Sequence, residues 1–141
     1  MKEHLNRNVK FRESFRPYGC TVLQEKTHLY FKVRRNFRAP YMSFAPAVRP
    51  GYLPSLRAVT HIDGTSRIQV LDTADSAEEK MFRRLIQEFG RRTGICCVLN
   101  TSLNVAGDPL VETPEHAAAL LRMTPLDGMV VGGYYIRRKK P

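Results

Sequence analysis

The chain has 141 residues, 43% of them hydrophobic and 26% charged, with a formal net charge of +10. That length predicts one domain burying roughly two-thirds of its unfolded surface. No apolar run approaches the about 20 residues of a membrane span, and the basic N-terminus lacks the apolar core of a signal peptide, so a cytoplasmic protein with no membrane partner is expected. Three cysteines (Cys20, Cys96, Cys97) without Cys-x-x-Cys spacing argue against a disulfide framework or a zinc site. No metal ligands are expected in the chain.

The charge is concentrated early. Residues 1–40 hold ten Lys and Arg against three acids, Glu3, Glu13 and Glu25. Such an imbalance predicts an anionic partner, whether a phosphorylated small molecule, a nucleic acid or an acidic protein surface.

In chain order, Met1 to Val9 reads as a short helix with Leu5 and Val9 on one face. Lys10 to Pro17 alternates cations with aromatics, which predicts a strand showing Lys10 and Arg12 on one face and burying Phe11 and Phe15. Its alternatives are a solvated basic edge and an anion cradle. Cys20 to Leu23 reads as a strand, followed by a polar break and the aromatic pair Tyr30-Phe31. Arg34-Arg35-Asn36-Phe37-Arg38 reads as a basic loop, either plain surface or a nucleic-acid contact.

Pro40 to Ala45 alternates like a strand, and a Pro-rich loop runs from Arg49 to Pro54. Two β-rich runs flanking Asp63-Gly64 predict a hairpin over Ala58–Val70, with Arg67 and Gln69 on one face and Ile68 and Val70 on the other. His61 has no partner at metal-ligand spacing and reads as a hydrogen-bonding histidine. Ser76-Ala77-Glu78-Glu79 is a capping box, and Phe82, Leu85, Ile86 and Phe89 follow at helical spacing to a stop near Gly94.

Ile95 to Leu99 is a short apolar run, the pattern of a strand buried on both faces. It changes abruptly into Asn100-Thr101-Ser102 and Asn104, ahead of a Gly107-Asp108-Pro109 turn. Hydroxyls and amides beyond a strand's carboxyl end are placed to bind a small polar substrate or a phosphate; a capped loop is the plainer alternative. Thr113-Pro114 starts a second helix with Ala117, Leu120 and Leu121 inward. Gly128 to Ile136 reads as a last strand and Arg137 to Lys140 as a basic tail.

Several of these stretches resemble one family. Asn6-Arg7-x-Val9-Lys10-x-Arg12-Glu13-x-Phe15-Arg16-Pro17, Tyr41-Met42-Ser43-Phe44, Ala58-Val59-Thr60-His61-x-Asp63-Gly64-Thr65-x-Arg67-x-Gln69, Leu99-Asn100-Thr101-Ser102-x-Asn104, Gly107-x-Pro109 and Thr113-Pro114-Glu115 together are similar to the C-terminal domain of the O-carbamoyltransferases. These are nodulation-factor and antibiotic-tailoring enzymes, and the resemblance covers nearly the whole chain.

The resemblance implies an α/β fold of the YrdC-like kind, an open twisted mixed sheet with flanking helices. It implies that the domain binds carbamoyl phosphate and ATP, with Mg2+ accompanying the nucleotide, and makes carbamoyl adenylate for transfer to an acceptor hydroxyl. Carried over by motif, Lys10, Arg16 and Arg67 would be catalytic cations and Arg12 a further phosphate-binding one. Asn100, Ser102 and Asn104 would contact the carbamoyl group or the nucleotide. The chemistry asks for such residues, because two polyanions must be held in contact and fixed guanidinium forks offset their repulsion.

Two departures stand out. The family carries a Gly/Arg-rich segment just upstream of the first motif and, before that, an actin/Hsp70-like transfer domain with a bound metal. Neither is in this sequence, so the expectation is a truncated domain, inactive in transfer by itself and completed in cis or in trans. The alternatives are an RNA- or tRNA-binding module and a non-catalytic subunit of a separate transfer-domain chain.

Overall fold

The computed structural model describes residues 1–72 and 76–138. Its described residues form a mixed α/β structure with a three-stranded sheet, a two-stranded sheet and five α-helices. The chain divides into two compact units, Met1–Arg16 with Ser102–Pro141, and Pro17–Thr101. No described helix is long and apolar enough to cross a membrane.

The second unit is built on β1 (Gly19–Leu23), every residue of which is buried. It is the central strand because its Cys20, Val22 and Leu23 side chains leave no face suited to water. On one side it pairs in parallel with β2 (Ile68–Leu71), with Cys20 opposite Ile68 and Val22 opposite Val70. On the other it pairs antiparallel with β3 (Cys97–Asn100), with Gly19 opposite Asn100 and Val22 opposite Cys97.

Between β1 and β2 the chain departs from its sequence pattern in four places. The polar break is instead helix α2 (Gln24–Tyr30), whose Thr27 and Tyr30 are buried three residues apart. Pro40 to Ala45 makes no strand, only a bridge from Phe44 to Ile68. The Pro-rich stretch coils into a 3-10 turn, Pro50–Tyr52, and the short helix α3 (Leu53–Leu56), each with proline where its missing N–H costs nothing.

The fourth departure is the hairpin, which does not form. The Asp63-Gly64 turn is real, with Gly64 at φ 79° and its amide bonded to His61. Its upstream arm, however, belongs to the turn leaving α3, where Val59 and Thr60 donate to the Leu56 carbonyl. Its downstream arm is β2, committed to β1. Ile68 and Val70 are buried as the alternation requires; only the pairing partner differs.

Helix α4 (Ala77–Thr93) opens with the expected capping box, Glu79 N–H donating to Ser76 Oγ and Ser76 N–H to Glu79 Oε2. It closes at Gly94 in the left-handed region, with Arg91 and Arg92 in its last turn. Of its apolar stripe only Ile86 is buried; Phe82, Leu85 and Phe89 are exposed. β3 likewise is an edge strand in which only Cys97 is fully buried, not a strand covered on both faces.

The first unit begins with α1 (Lys2–Asn8). The segment after it is not the basic strand that its alternation suggests. Lys10 and Arg12 donate their backbone N–H groups to the carbonyls of Leu5 and Asn6, wrapping the chain around the helix end. Phe11 turns into the left-handed region at φ 48°. Phe11 and Phe15 are consequently 59% and 76% exposed, while Lys10 is buried. Backbone groups paired to a helix terminus are unavailable to a sheet ladder, and that decides against the strand.

The unit continues through the Gly107 turn, where Asp108 N–H meets the Val105 carbonyl, into α5 (Pro114–Met123). Thr113 caps α5 as expected, and Ala117 and Leu121 face inward. The last predicted strand is in fact a hairpin, β4 (Gly128–Val131) against β5 (Tyr134–Arg137), folded at Gly132-Gly133. The Arg138 guanidinium donates to the carbonyls of Leu121, Arg122 and Thr124 at the end of α5. Of the basic tail, Lys139 and Lys140 lie outside the described residues.

Candidate functional site

Residues more than ninety positions apart meet in the first unit. Lys10 is 4% exposed, and its ammonium donates to four oxygens of one loop. These are the Ser102 carbonyl at 2.7 Å, the Asn104 carbonyl at 2.7 Å, Asn104 Oδ1 at 2.7 Å and Ser102 Oγ at 3.2 Å. The Lys10 carbonyl in turn accepts the Ala106 N–H. Lys10 therefore stitches residues 102–106 from side chain and backbone together. Burial, and then the positive charge of Arg12, push the Lys10 ammonium below its ordinary pKa.

Within the same loop the Ser102 hydroxyl donates to Asn104 Oδ1 at 2.7 Å. Asn104 Nδ2 donates to the Asp108 carbonyl at 2.9 Å, tying the loop to the Gly107 turn. Ser102 is exposed and Asn104 half-buried, so the cluster has an inner, locked side and an outer side open to solvent.

Arg12 and Arg16 are organised by Asn6, a fully buried residue on α1. Asn6 Oδ1 accepts from Arg12 Nε at 2.9 Å, and Asn6 Nδ2 donates to the carbonyls of Ser14 and Arg16 at 3.2 Å each. Arg16 is exposed and forms a 3.8 Å ion pair with Glu13. Asn6 thus holds Arg12 at its guanidinium Nε and Arg16 at its backbone carbonyl, leaving the Arg16 guanidinium at the surface.

Arg67 and Asn100 belong to the second unit. The Arg67 carbonyl accepts the Cys20 N–H, pinning its backbone to β1 while its side chain is exposed. Asn100, at the end of β3, donates to Thr21 Oγ1 at 2.8 Å and Gln69 Oε1 at 2.9 Å, and Thr21 donates to Gln69 at 2.9 Å. One side chain from each of the three strands thus joins a polar ladder on one sheet face. Gly19 lies opposite Asn100, and an added Cβ there would sit 2.8 Å from the Arg67 carbonyl.

Two residues were given no role by the motifs: Asn6, which opens the first of them, and Thr21, which lies in none. For Thr21 the signal was present, a polar residue between Cys20 and Val22; Asn6, with His4, Arg7 and Asn8 about it, carries no local sign of its burial. Buried polar groups must be hydrogen-bonded, which makes such positions organisers of their surroundings.

The remaining candidates carry less chemistry. His61 contacts Thr65 Oγ1 through Nδ1 at 3.2 Å, a turn-stabilising contact. The cysteines are free thiols, and a hydrogen bond with Cys20, then burial, raise the Cys97 thiol well above its ordinary pKa, away from the reactive thiolate. In the Arg34–Arg38 loop, Phe37 packs edge-on against Phe44 at 5.4 Å, and Arg38 pairs with Asp72 at 2.6 Å. Arg34 and Arg35 remain as exposed cations of that loop. Among the described residues no group of three His, Cys, Asp or Glu is arranged to hold a metal ion.

Chemically, the first unit offers a hydroxyl and an amide fixed by a buried ammonium, together with the Arg12 guanidinium held at Nε and the exposed guanidinium of Arg16. Groups of this kind have the chemistry to hydrogen-bond and neutralise a small anion, and none of them is a nucleophile.

A family model described as "Carbamoyltransferase C-terminus" matches residues 1–138. The nodulation protein NolNO of Sinorhizobium fredii is 37% identical over 141 residues, covering 98% of this chain and 20% of that protein. The nodulation protein NolO of Bradyrhizobium diazoefficiens is 34% identical over 139 residues, covering 98% and 25%. The 3'-hydroxymethylcephem-O-carbamoyltransferase of Amycolatopsis lactamdurans is 31% identical over 137 residues, covering 97% and 25%. The chain spans a fifth to a quarter of the length of these relatives. It belongs to the carbamoyltransferase C-terminal family.

Proposed function

We propose that this chain binds carbamoyl phosphate and ATP and forms carbamoyl adenylate, from which the carbamoyl group passes to an acceptor hydroxyl. The observation that carries the reading is the Lys10–Ser102–Asn104 cluster, built from the first and fourth family motifs. In the first unit Arg12 and Arg16 serve as phosphate-binding cations; in the second, Arg67 is a phosphate-binding cation and Asn100 a polar contact for the carbamoyl group or the nucleotide. Mg2+ enters on the phosphates of the nucleotide.

The step balances with water as co-reactant. Water cleaves carbamoyl phosphate to carbamate and inorganic phosphate. A carbamate oxygen then attacks the α-phosphorus of ATP, forming the new P–O bond as the bond to pyrophosphate breaks. The residues named bind and orient the two polyanions and offset charge on the leaving groups, the main demand of phosphoryl-type transfers. Transfer itself falls to a further polypeptide segment, in cis or in trans.

Calorimetry with carbamoyl phosphate and with ATP tests the reading on the intact chain and on Arg67→Ala. The intact chain is expected to bind both, and the variant about tenfold more weakly. No binding by the intact chain, or equal affinity in the two, would count against it. The exposed Arg34 and Arg35 favour a second reading, RNA binding, which requires tRNA affinity falling steeply with salt; a flat response removes it.

A further inference from the structure

We infer that Lys10 acts on the ligand through Ser102 without touching it, fixing the Ser102 hydroxyl as a hydrogen-bond acceptor that selects a carbamoyl amide over an acyl methyl. The inference rests on the carbamoyl phosphate reading and deepens it.

The argument is one of donors and acceptors. An ammonium has three N–H groups and no lone pair, and Lys10 already faces four oxygens. A phosphate could reach this buried nitrogen only by displacing a protein oxygen. The same ammonium settles how Asn104 is oriented, since an amide NH2 turned toward it would set donor against donor. The atom there is Oδ1, which can only accept.

Ser102 follows from that. Its hydroxyl lies 2.7 Å from Asn104 Oδ1 and must donate to it. It lies 3.2 Å from Lys10 Nζ and can only accept from it. The hydroxyl proton is therefore spent inward, and an exposed lone pair is what Ser102 presents outward. The dianionic phosphoryl group of an acyl phosphate has no proton to give that lone pair, whereas a carbamoyl NH2 has two. Asn104 completes the match: one of its two amide protons is used on the Asp108 carbonyl, and the other is left for an acceptor such as the carbamoyl oxygen. An acceptor and a donor side by side complement a primary amide. Acetyl phosphate, equal in shape and charge, lacks the N–H.

Affinities of the 141-residue chain for carbamoyl phosphate, acetyl phosphate and inorganic phosphate provide the test. Carbamoyl phosphate is expected to bind about tenfold tighter than acetyl phosphate, the worth of one well-made hydrogen bond. Ser102→Ala should erase that preference and leave inorganic phosphate affinity within about twofold, and Lys10→Met should do the same. Equal binding of the two acyl phosphates by the wild-type chain would overturn the selection and leave the carbamoyl phosphate reading standing. Binding of neither would overturn that reading itself. If Lys10→Met weakens inorganic phosphate and carbamoyl phosphate alike, Lys10 is a phosphate ligand and the inference fails. Should that variant not fold, the 15N signal of the Lys10 ammonium decides: slow exchange unaltered by inorganic phosphate supports the inference, and a phosphate-dependent shift overturns it.

Discussion

Gly90 of helix α4 lies directly on Cys96, so that a Cβ at position 90 would sit 2.2 Å from Cys96 Sγ and 3.2 Å from its Cα. Cys96 cannot give way easily, because its N–H donates to the Tyr30 hydroxyl at 3.0 Å. Gly90→Ala sets about 1 kcal/mol of helix propensity gained against an overpacked contact costing about 1–3 kcal/mol. A net loss of about 1 kcal/mol is expected in urea unfolding. A stabilised variant would show that α4 can lift away from the strand at no cost.

Tyr30 predicts a pH dependence. Burial, opposed in part by its bond to the Cys96 backbone, pushes its hydroxyl up to about 12. The folded chain thus keeps the proton that the unfolded chain gives up near pH 10, so stability is full below about pH 10 and falls as pH rises from there through 12. Unfolding midpoints measured at pH 9 and pH 11.5 should differ more in the wild-type chain than in Tyr30→Phe. Parallel curves would show that the group ionises as freely folded as unfolded.

The capping box of α4 is a second place where a single atom is decisive. Ser76→Ala leaves the Glu79 amide without its acceptor and should cost about 1 kcal/mol. Ser76→Asp, which keeps an acceptor there and adds negative charge at the helix start, should recover most of it. Thermal unfolding of the three chains checks the order.

Asn6→Ala is expected to affect both stability and ligand binding. It removes the partner of Arg12 Nε and of the Ser14 and Arg16 carbonyls, a loss of about 2–3 kcal/mol. It also loosens the Arg12 guanidinium at Nε and the backbone that carries Arg16. Carbamoyl phosphate affinity should therefore fall by about tenfold even at temperatures where the variant is fully folded, as read by calorimetry. Unchanged affinity would show that preorganisation of the two arginines contributes nothing to binding.

Elements defined by local chemistry were legible in the sequence. The capping box, the Thr113-Pro114 helix start, the Gly107 turn and the buried run at β1 each carry their signal within a few residues. The errors arose where groups outside the segment decided. Lys10 to Pro17 has a strand's alternation, but the carbonyls that take its N–H groups belong to α1. The Asp63-Gly64 turn has hairpin chemistry, but β2 gains more by lying beside the fully buried β1. Among the site residues, Lys10, Ser102 and Asn104 could be named from motifs. That the lysine would spend its protons on the loop itself could not, since it depends on a contact across more than ninety residues.

The outward stripe of α4, Phe82, Leu85 and Phe89, has a colloidal consequence. On a chain of net charge +10 the apolar attraction between copies is opposed by long-range repulsion. Added electrolyte shortens the reach of that repulsion from about 30 Å at 0.01 M to about 10 Å at 0.1 M without weakening the attraction. Light scattering should therefore detect self-association of the isolated chain that increases with ionic strength, the opposite of the trend expected for contacts made between charges.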